Sequence, residues 1–238
     1  MEEINDIVGK KLKIFQNSNF FKFSLESVLL PDFVDVHLRD KKIIDLCSGN
    51  CPIPLILSLK TKAIIYGVEL QKEIYELGLK SIKINNKENQ IKLLNENVKE
   101  LKKFFSSDYF DIITVNPPYF KILDKSLVNK NSTKTKARHE SDLTLDDLLE
   151  IVFYLLKTNG CFYMVHRTER LIEILDLLKK YHLTPKCLEF IYPKDKSQSK
   201  LFMIKAVKYG HDGLIVKNGI YVHNNDGSYK EEIKKIFE

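Results

Sequence analysis

The chain contains the stretch Ile43-Ile44-Asp45-Leu46-Cys47-Ser48-Gly49-Asn50-Cys51, whose pattern is typical of an α/β fold. Branched apolar residues run up to an acidic residue, and a turn of small residues leads into the apolar segment 52–60. A buried parallel strand that passes directly into a helix has this pattern. Because open α/β sheets bind ligands at the carboxyl ends of their strands, the turn also predicts a ligand site.

The alternation of strand-like and helix-like segments continues along the chain. Strands are predicted at 43–47, 63–69, 91–95, 111–116, 161–166, 187–192 and 201–207. Helices are predicted at 52–60, 71–85, 144–156 and 167–181, with Asp142 or Thr144 as the cap of the third. The pattern predicts an α/β, Rossmann-like fold: a seven-stranded sheet with helices on both faces.

The ends of the chain differ from this central pattern. Residues 1–42 are expected to form an N-terminal extension, residues 43–208 the main domain, and residues 209–238 a C-terminal extension of the same domain with short strands at 214–216 and 220–223. No apolar run approaches the ~20 residues that span a bilayer, and the first residues lack the basic start of a secretion signal. We therefore expect a cytoplasmic protein without membrane contact.

Composition narrows the class of protein only modestly. With 238 residues and 44% hydrophobic content, the chain can form a large globular core. Its net charge of +6 suits a polyanionic partner and also suits an ordinary soluble protein. The four cysteines are too scattered for a disulfide framework, so reduced thiols are expected. Separately, we expect the chain to be a monomer.

Polar side chains follow the first three predicted strands. The first turn offers Asp45, Cys47, Ser48 and Gly49, which can admit a nucleotide-like ligand close to the backbone. Glu69 ends the second strand and can accept hydrogen bonds from two ribose hydroxyls, while Asn97 follows the third, where an adenine amino group could be bound. NAD-binding proteins share this arrangement, so the residues alone predict a ribose-containing ligand and leave its chemistry open.

Simpler interpretations of these residues exist. Ser48 and Gly49 also suit a plain strand-to-helix turn, and Glu69 suits a solvated strand end. Cys47 and Cys51 form a weak metal pattern, because no second pair of ligands lies nearby in the sequence. We expect these thiols to pack as small apolar groups and no metal to be bound.

A second motif, Asn116-Pro117-Pro118-Tyr119, follows the apolar run 111–115. The nitrogen of a conjugated amine is a weak nucleophile, because its lone pair is delocalised into the ring. The Asn116 side-chain oxygen and the Pro117 carbonyl can each accept one N–H and turn the lone pair toward a methyl donor, while Tyr119 and Phe120 can stack on the base. The motif predicts a catalytic site for a planar amino group; the alternative is a rigid loop at a strand end.

With these motifs the chain resembles class I S-adenosylmethionine (SAM)-dependent methyltransferases of the branch that modifies amino groups. Four further stretches make it similar to bacterial tRNA(Val) adenine-N6 methyltransferases: 23–30, 137–140, 165–167 and 213–229. The resemblance spans nearly the whole chain. It implies an antiparallel last strand, SAM as cofactor, and methylation of the exocyclic N6 of adenosine 37, next to the anticodon of tRNA(Val).

The resemblance also implies roles for individual residues. Asp45 and Gly49 line the cofactor pocket, Glu69 holds the ribose, Asn97 lies near the cofactor adenine, and residues 116–119 hold the target base. Phe23 and Asn116 are placed beside the cofactor as well. The chain departs from the family's pattern in two respects: Cys47 and Cys51 stand where glycines are usual, and Asn97 stands where an aspartate is expected.

Two basic stretches are candidates for contact with RNA. Residues 121–139 follow the catalytic motif directly and have a formal charge of +5, and residues 179–208 have a formal charge of +6. A long polar connection of this kind suits a segment that binds phosphates, and the alternative is a solvated basic surface. The expected RNA-contacting residues are Phe120, Lys130, Lys134, Lys136, Arg138, His139 and Arg167.

Other functions share parts of this pattern. Glutamine-N5 methyltransferases of release factors use the same Asn-Pro-Pro-Tyr motif, but they carry a sizeable domain before the cofactor motif, which here begins at Asp45. Methylation of DNA adenine or of ribosomal guanine N2 also remains open. A catalytically silent RNA-binding module is the alternative from a different class, and the intact Glu69 and Asn116 argue against it.

Overall fold

The computed structural model describes residues 2–7, 9, 11–17, 24–118 and 143–237. Its strands are β1 Glu2–Ile7, β2 Leu12–Asn17, β3 Lys42–Leu46, β4 Ile64–Val68, β5 Ile91–Leu94, β6 Phe110–Val115, β7 Leu156–Arg167, β8 Leu183–Lys194, β9 Leu201–Lys208, β10 Ile215–Val216 and β11 Ile220–His223. Its helices are α1 Glu26–Phe33, α2 Pro52–Lys60, α3 Lys72–Ile84, α4 Leu145–Leu155, α5 Leu171–Lys180 and α6 Glu231–Phe237, with short 3₁₀ helices at Val98–Lys103 and Thr168–Arg170.

The main sheet has the order β10-β8-β9-β7-β6-β3-β4-β5, and β11 also pairs with β8. Neighbouring strands are parallel except at β9, which is antiparallel to both β7 and β8. This confirms the predicted α/β fold and the antiparallel orientation of the last predicted strand, β9. The described sheet has nine strands, because β10 and β11 add to the outer edge of β8 in parallel register.

The sheet separates two apolar layers. Successive residues of a strand point to opposite faces, so Ile43 packs with α1 and α2 while Ile44 packs with α4 and α5. Ile112 and Ile113 divide in the same way. Both layers are made of fully buried branched and aromatic side chains, and their burial is the main stabilising contribution to the fold.

The N-terminal region forms structure that the central pattern does not predict. β1 and β2 form an antiparallel hairpin outside the main sheet. Its second strand is tied to α3, since Asn85 exchanges two hydrogen bonds with the backbone of Lys13 and the Ser81 hydroxyl accepts one from Phe15 N–H. The division of the chain at residues 42/43 and 208/209 stays a prediction.

Two helix ends show how side chains set the element boundaries. Thr144 caps α4 in a reciprocal capping box with Asp147, which confirms one of the two predicted caps; Asp142 lies outside the described residues. At the other end of this helix, Lys208 of β9 places its ammonium on the carbonyls of Phe153 and Leu156, each at 2.8 Å. Such a cation offsets the negative end of the helix dipole.

Lys208 carries the first prediction. Its side chain is buried and also donates to Asp108 at 3.0 Å, so Lys208→Met leaves one buried and one half-buried carbonyl without this donor. We expect the free energy of unfolding to fall by about 3 kcal/mol in chemical denaturation. The control is Lys102→Met, which breaks an exposed ion pair with Glu150 and should cost under about 0.5 kcal/mol. Equal losses would contradict this role of Lys208.

Candidate active site

The strand register brings the predicted site residues to one edge of the sheet. Leu46 is paired with Val68 of β4 and with Val115 of β6. The residues that follow these three positions are Cys47, Glu69 and Asn116, which therefore lie in one row at the carboxyl edge. Glu69 and Asn116 are two strand spacings apart, or about 10 Å. One small ligand can reach both.

Ser48 fixes the turn after β3 against β4. Its backbone N–H donates to Val68 O at 2.8 Å, and its hydroxyl accepts from Val68 N–H at 3.1 Å and donates to Asp45 O at 2.8 Å. Gly67 permits this approach, because a Cβ on it would come within 2.9 Å of the Ser48 hydroxyl. Ser48 is thus a structural part of the predicted cofactor turn.

The backbone of the turn is left-handed at three positions. Cys47, Gly49 and Cys51 have φ values of 58°, 57° and 73°. Glycine adopts this conformation at little cost, whereas other residues lose about 1–2 kcal/mol. The two cysteines therefore occupy positions where the backbone favours glycine, in agreement with the departure seen in the sequence. Burial raises the pKa of both thiols, so they stay protonated.

Glu69 joins the turn to the end of β4. The carboxylate accepts from Gly49 N–H at 3.0 Å and from Gln71 N–H at 2.8 Å, and the residue is only 7% exposed. Burial raises the pKa of Glu69, and the backbone donors oppose that shift. The simpler interpretation of Glu69 as a solvated strand end is therefore wrong. It is a buried carboxylate that faces the turn.

Asp45 is a second buried carboxylate beside the first. Its Oδ1 accepts from the Thr114 hydroxyl of β6 at 2.6 Å, while Oδ2 has no hydrogen-bond partner. Burial raises the pKa of Asp45 to about 7; the hydrogen bond from Thr114 opposes the shift, and the nearby Glu69 adds to it. A fully buried acceptor of this kind is stabilised by a cationic or hydrogen-bond-donating ligand.

Asn116 stands at the end of β6 and is held by a residue that the sequence analysis did not assign. Its Nδ2 donates to the hydroxyl of Ser27, a buried residue of α1, at 3.2 Å. This contact directs the amide nitrogen toward α1. The amide oxygen therefore points away from α1. Ser27 lies within the stretch 23–30 that carried the resemblance, which was the available signal. Pro117 is buried and Pro118 is half-buried.

The end of β5 has mainly structural roles. Asn95 donates to the carbonyls of Glu69 and Leu70 at 2.8 and 3.0 Å, and so braces the end of β4. The side-chain oxygen of Asn97 caps the following 3₁₀ helix by accepting from Lys99 N–H at 3.0 Å. Its amide nitrogen is the group that remains for a ligand. Leu70 is 49% exposed beside Glu69, an apolar surface that the sequence analysis missed.

Unpartnered buried acceptors gather around this turn. Besides Asp45 Oδ2 they include Oε1 of Gln71, two residues after Glu69, and Oε1 of Gln16 near the end of β2. β2 reaches the turn because Asn50 Nδ2 donates to Phe15 O at 2.7 Å. The turn therefore presents acceptors to a ligand rich in donors. SAM is such a ligand, with an ammonium group, two ribose hydroxyls and an adenine amine.

Several predicted site residues fall outside the described residues: Phe23, Tyr119, Phe120, Lys130, Lys134, Lys136, Arg138 and His139. Arg167 is described; it ends β7 and pairs with Glu169 at 3.0 Å. Among described residues, no group of three or more His, Cys, Asp or Glu side chains is arranged to hold a metal ion. Within the same residues, every helix is too short or too polar to cross a membrane.

Solved structures with the same fold are class I methyltransferases. A predicted O-methyltransferase from Agrobacterium tumefaciens superposes with a TM-score of 0.69 at 14% identity, covering 88% of this chain and 94% of that chain. Geranyl diphosphate C-methyltransferase from Streptomyces coelicolor, solved with S-adenosyl-L-homocysteine, gives a TM-score of 0.59 at 12% identity, covering 77% and 79%. The chain therefore has the fold of class I methyltransferases.

Relatives in sequence narrow the comparison. A protein from Bacteroides thetaiotaomicron is 28% identical over 228 residues, which are 95% of this chain and 93% of that protein. One from Cytophaga hutchinsonii is 26% identical over 156 residues, 66% of this chain and 64% of that protein. Both are named tRNA1(Val) (adenine(37)-N6)-methyltransferase, so the resemblance found in the motifs is confirmed. No protein-family model matches the chain.

The buried Asp45 makes stability depend on pH. Because its folded pKa of about 7 lies above the unfolded value of 3.8, ionised Asp45 destabilises the ligand-free fold by about 4 kcal/mol above pH 7, and this cost disappears as the pH falls toward 4. We expect Asp45→Asn to be roughly 2 kcal/mol more stable than the wild type at pH 8.5, with the difference narrowing at pH 6 in urea titrations.

The control for Asp45 is Asp111→Asn. The Asp111 carboxylate bonds Lys157 at 2.6 Å and the backbone of Lys41 and Lys42 at 2.9 Å, so this variant should lose stability at pH 8.5. If Asp45→Asn were also less stable than the wild type at pH 8.5, the proposed cost of the buried charge would be wrong.

Proposed function

We propose that this protein is a SAM-dependent tRNA methyltransferase that modifies the exocyclic N6 of adenosine 37, immediately 3′ of the anticodon, in tRNA(Val). The observation that carries the proposal is the row of Cys47, Glu69 and Asn116 at one sheet edge, with Asp45 two residues before Cys47 on β3. This row combines a cofactor turn with an acceptor for an aromatic amine. The target base, its position in the RNA and the identity of the tRNA are inferred from the names of the relatives.

Different residues around the turn contact different parts of the cofactor. Glu69 accepts from the ribose hydroxyls, and the exposed Leu70 offers an apolar surface to the adenine, with the Asn97 amide at its edge. Asp45 and Gly49 face the methionine part; a Cβ built on Gly49 meets nothing within 4 Å, so the backbone there borders open space. When bound, SAM supplies an electrophilic methyl group.

The target amine is activated by acceptors and needs no ionised base. The Asn116 amide oxygen and the Pro117 carbonyl each accept one N–H of the adenine amine, which draws the nitrogen out of conjugation and aims its lone pair. Because Asn116 is held by Ser27 on a helix, these acceptors are positioned before the substrate arrives, which lowers the cost of reorganisation. Tyr119, in the same motif, stacks on the base.

The RNA approaches along the basic end of β7 and β8. The connection between β8 and β9 carries Lys196 and Lys200 and is tied to the end of β7, because Thr168 N–H donates to Lys200 O at 3.0 Å. Lys194, Lys196 and Lys200 are exposed, and no ion pair between described residues involves them. Arg167 lies in the same region. With the charge of residues 121–139, this edge suits the phosphates of one RNA strand.

The proposal is tested by incubating the protein with labelled SAM and unmodified total tRNA, followed by nucleoside mass spectrometry. We expect labelled N6-methyladenosine from position 37 of tRNA(Val). Asn116→Ala should lower the rate by at least about 100-fold while the affinity for SAM, measured by calorimetry, changes less than about threefold. Lys102→Met, which removes an exposed ion pair with Glu150, serves as the control with normal activity.

The alternatives give different outcomes in the same experiment. Label in release-factor protein would identify a glutamine-N5 methyltransferase, and label in guanine or in DNA would identify another nucleic-acid enzyme. No binding of SAM would favour an RNA-binding module without catalysis. Full activity of Asn116→Ala would contradict the proposed mechanism even if adenosine 37 were methylated.

Ser27 is predicted to act by positioning Asn116. In Ser27→Ala the Asn116 Nδ2 loses the hydroxyl that accepts its hydrogen bond and orients the amide, so we expect kcat to fall by about tenfold with little change in KM for SAM. Ser58→Ala is a matched control, because Ser58 is a buried helical serine that donates to Leu55 O on the neighbouring helix α2. A purely structural role would lower the melting temperature in both variants and leave kcat unchanged.

A further inference from the structure

Gln16 is a buried polar residue in an apolar position. In β2 the alternate residues Leu12, Ile14 and Gln16 face inward and are 2%, 0% and 3% exposed. The first two pack in the apolar layer with α1 and α2, but Gln16 ends the row with an amide whose Oε1 has no hydrogen-bond partner. Leaving such an acceptor unsatisfied destabilises a fold, so a ligand group that donates to it would be favourable.

The hairpin carries Gln16 to the cofactor turn. β2 runs along α3 from Asn85, opposite Lys13, to Ser81, opposite Phe15. At Phe15 it meets the turn, where Asn50 Nδ2 donates to Phe15 O at 2.7 Å. Gln16 is the next residue along β2, so it borders the turn. The contact is specific, since Asn50 is itself buried and commits its amide to it.

The position of Gln16 relative to Glu69 indicates which part of the cofactor Gln16 would contact. SAM has donors in three places: the adenine amine, the ribose hydroxyls and the α-ammonium of its methionine part. Glu69, Leu70 and Asn97 lie at the ends of β4 and β5 and account for the ribose and adenine in the proposed site. The α-ammonium is the donor that remains for acceptors at the Asn50 end of the turn.

We propose that Gln16 is a cofactor-binding residue whose side-chain oxygen accepts a hydrogen bond from the α-ammonium group of SAM. The N-terminal hairpin is then part of the cofactor site, as well as a cover on α3. This inference rests on the proposed function, because it takes SAM as the ligand of the turn.

Calorimetry with two ligands separates this role from a structural one. S-Adenosylmethionine contains the methionine part, and 5′-methylthioadenosine lacks it. We expect Gln16→Leu to weaken the binding of SAM by about 10- to 100-fold and to leave the affinity for methylthioadenosine within about twofold. Gln16→Glu keeps an acceptor at this position and should bind SAM within about threefold of the wild type. Lys13→Ala, on the exposed face of β2, is the control and should bind both ligands normally.

Three results would overturn the assignment. Gln16→Leu could bind SAM as tightly as the wild type, or it could lose both ligands by the same factor, which would indicate a general effect on the turn. If Gln16→Leu fails to fold, a Gln16→Glu variant whose preference for SAM over methylthioadenosine falls tenfold would contradict it as well. Absence of SAM binding by the wild type would instead contradict the proposed function, and the assignment with it.

Discussion

The hydrogen bonds that hold the turn after β3 against the end of β4 are the contacts on which the rest of the site depends. Ser48 exchanges hydrogen bonds with Val68, and Glu69 accepts the backbone N–H of Gly49 at 3.0 Å. Together they keep three residues of the turn in a left-handed conformation, although two of them are cysteines. Because this places the backbone of Gly49 at open space, a ligand can approach it closely.

The same geometry lowers the stability of the fold when no ligand is bound. Asp45 and Glu69 are both buried, and the three acceptor atoms of Asp45, Gln71 and Gln16 have no partner among the described residues. Each group lowers stability on its own, and a cofactor that carries a cation and several donors offsets these costs on binding. Stability and function are therefore opposed here, as is common for sites organised before the ligand arrives.

Much of the fold was predictable, and the failures have physical causes. The apolar runs of the core strands and the capping residue Thr144 predicted their elements closely, because burial on both faces leaves a clear pattern. The hairpin β1–β2 and helix α1 were not predicted: the hairpin pairs outside the main sheet and packs on α3, and the short α1 contains Pro31. Asp45, Glu69 and Asn116 were found at strand ends. The roles of Ser27 and Gln16 depend on contacts between distant parts of the chain: Ser27 contacts Asn116, and Phe15, next to Gln16, contacts Asn50.

We propose that the carboxyl edge of β3, β4 and β6 binds the cofactor within reach of Asn116. A crystal structure of the protein with S-adenosylhomocysteine tests it most directly. We expect ribose hydroxyls within hydrogen-bond distance of Glu69 and the homocysteine sulfur directed toward Asn116. Density for the ligand at any other place on the sheet, or a ribose that does not contact Glu69, would contradict it.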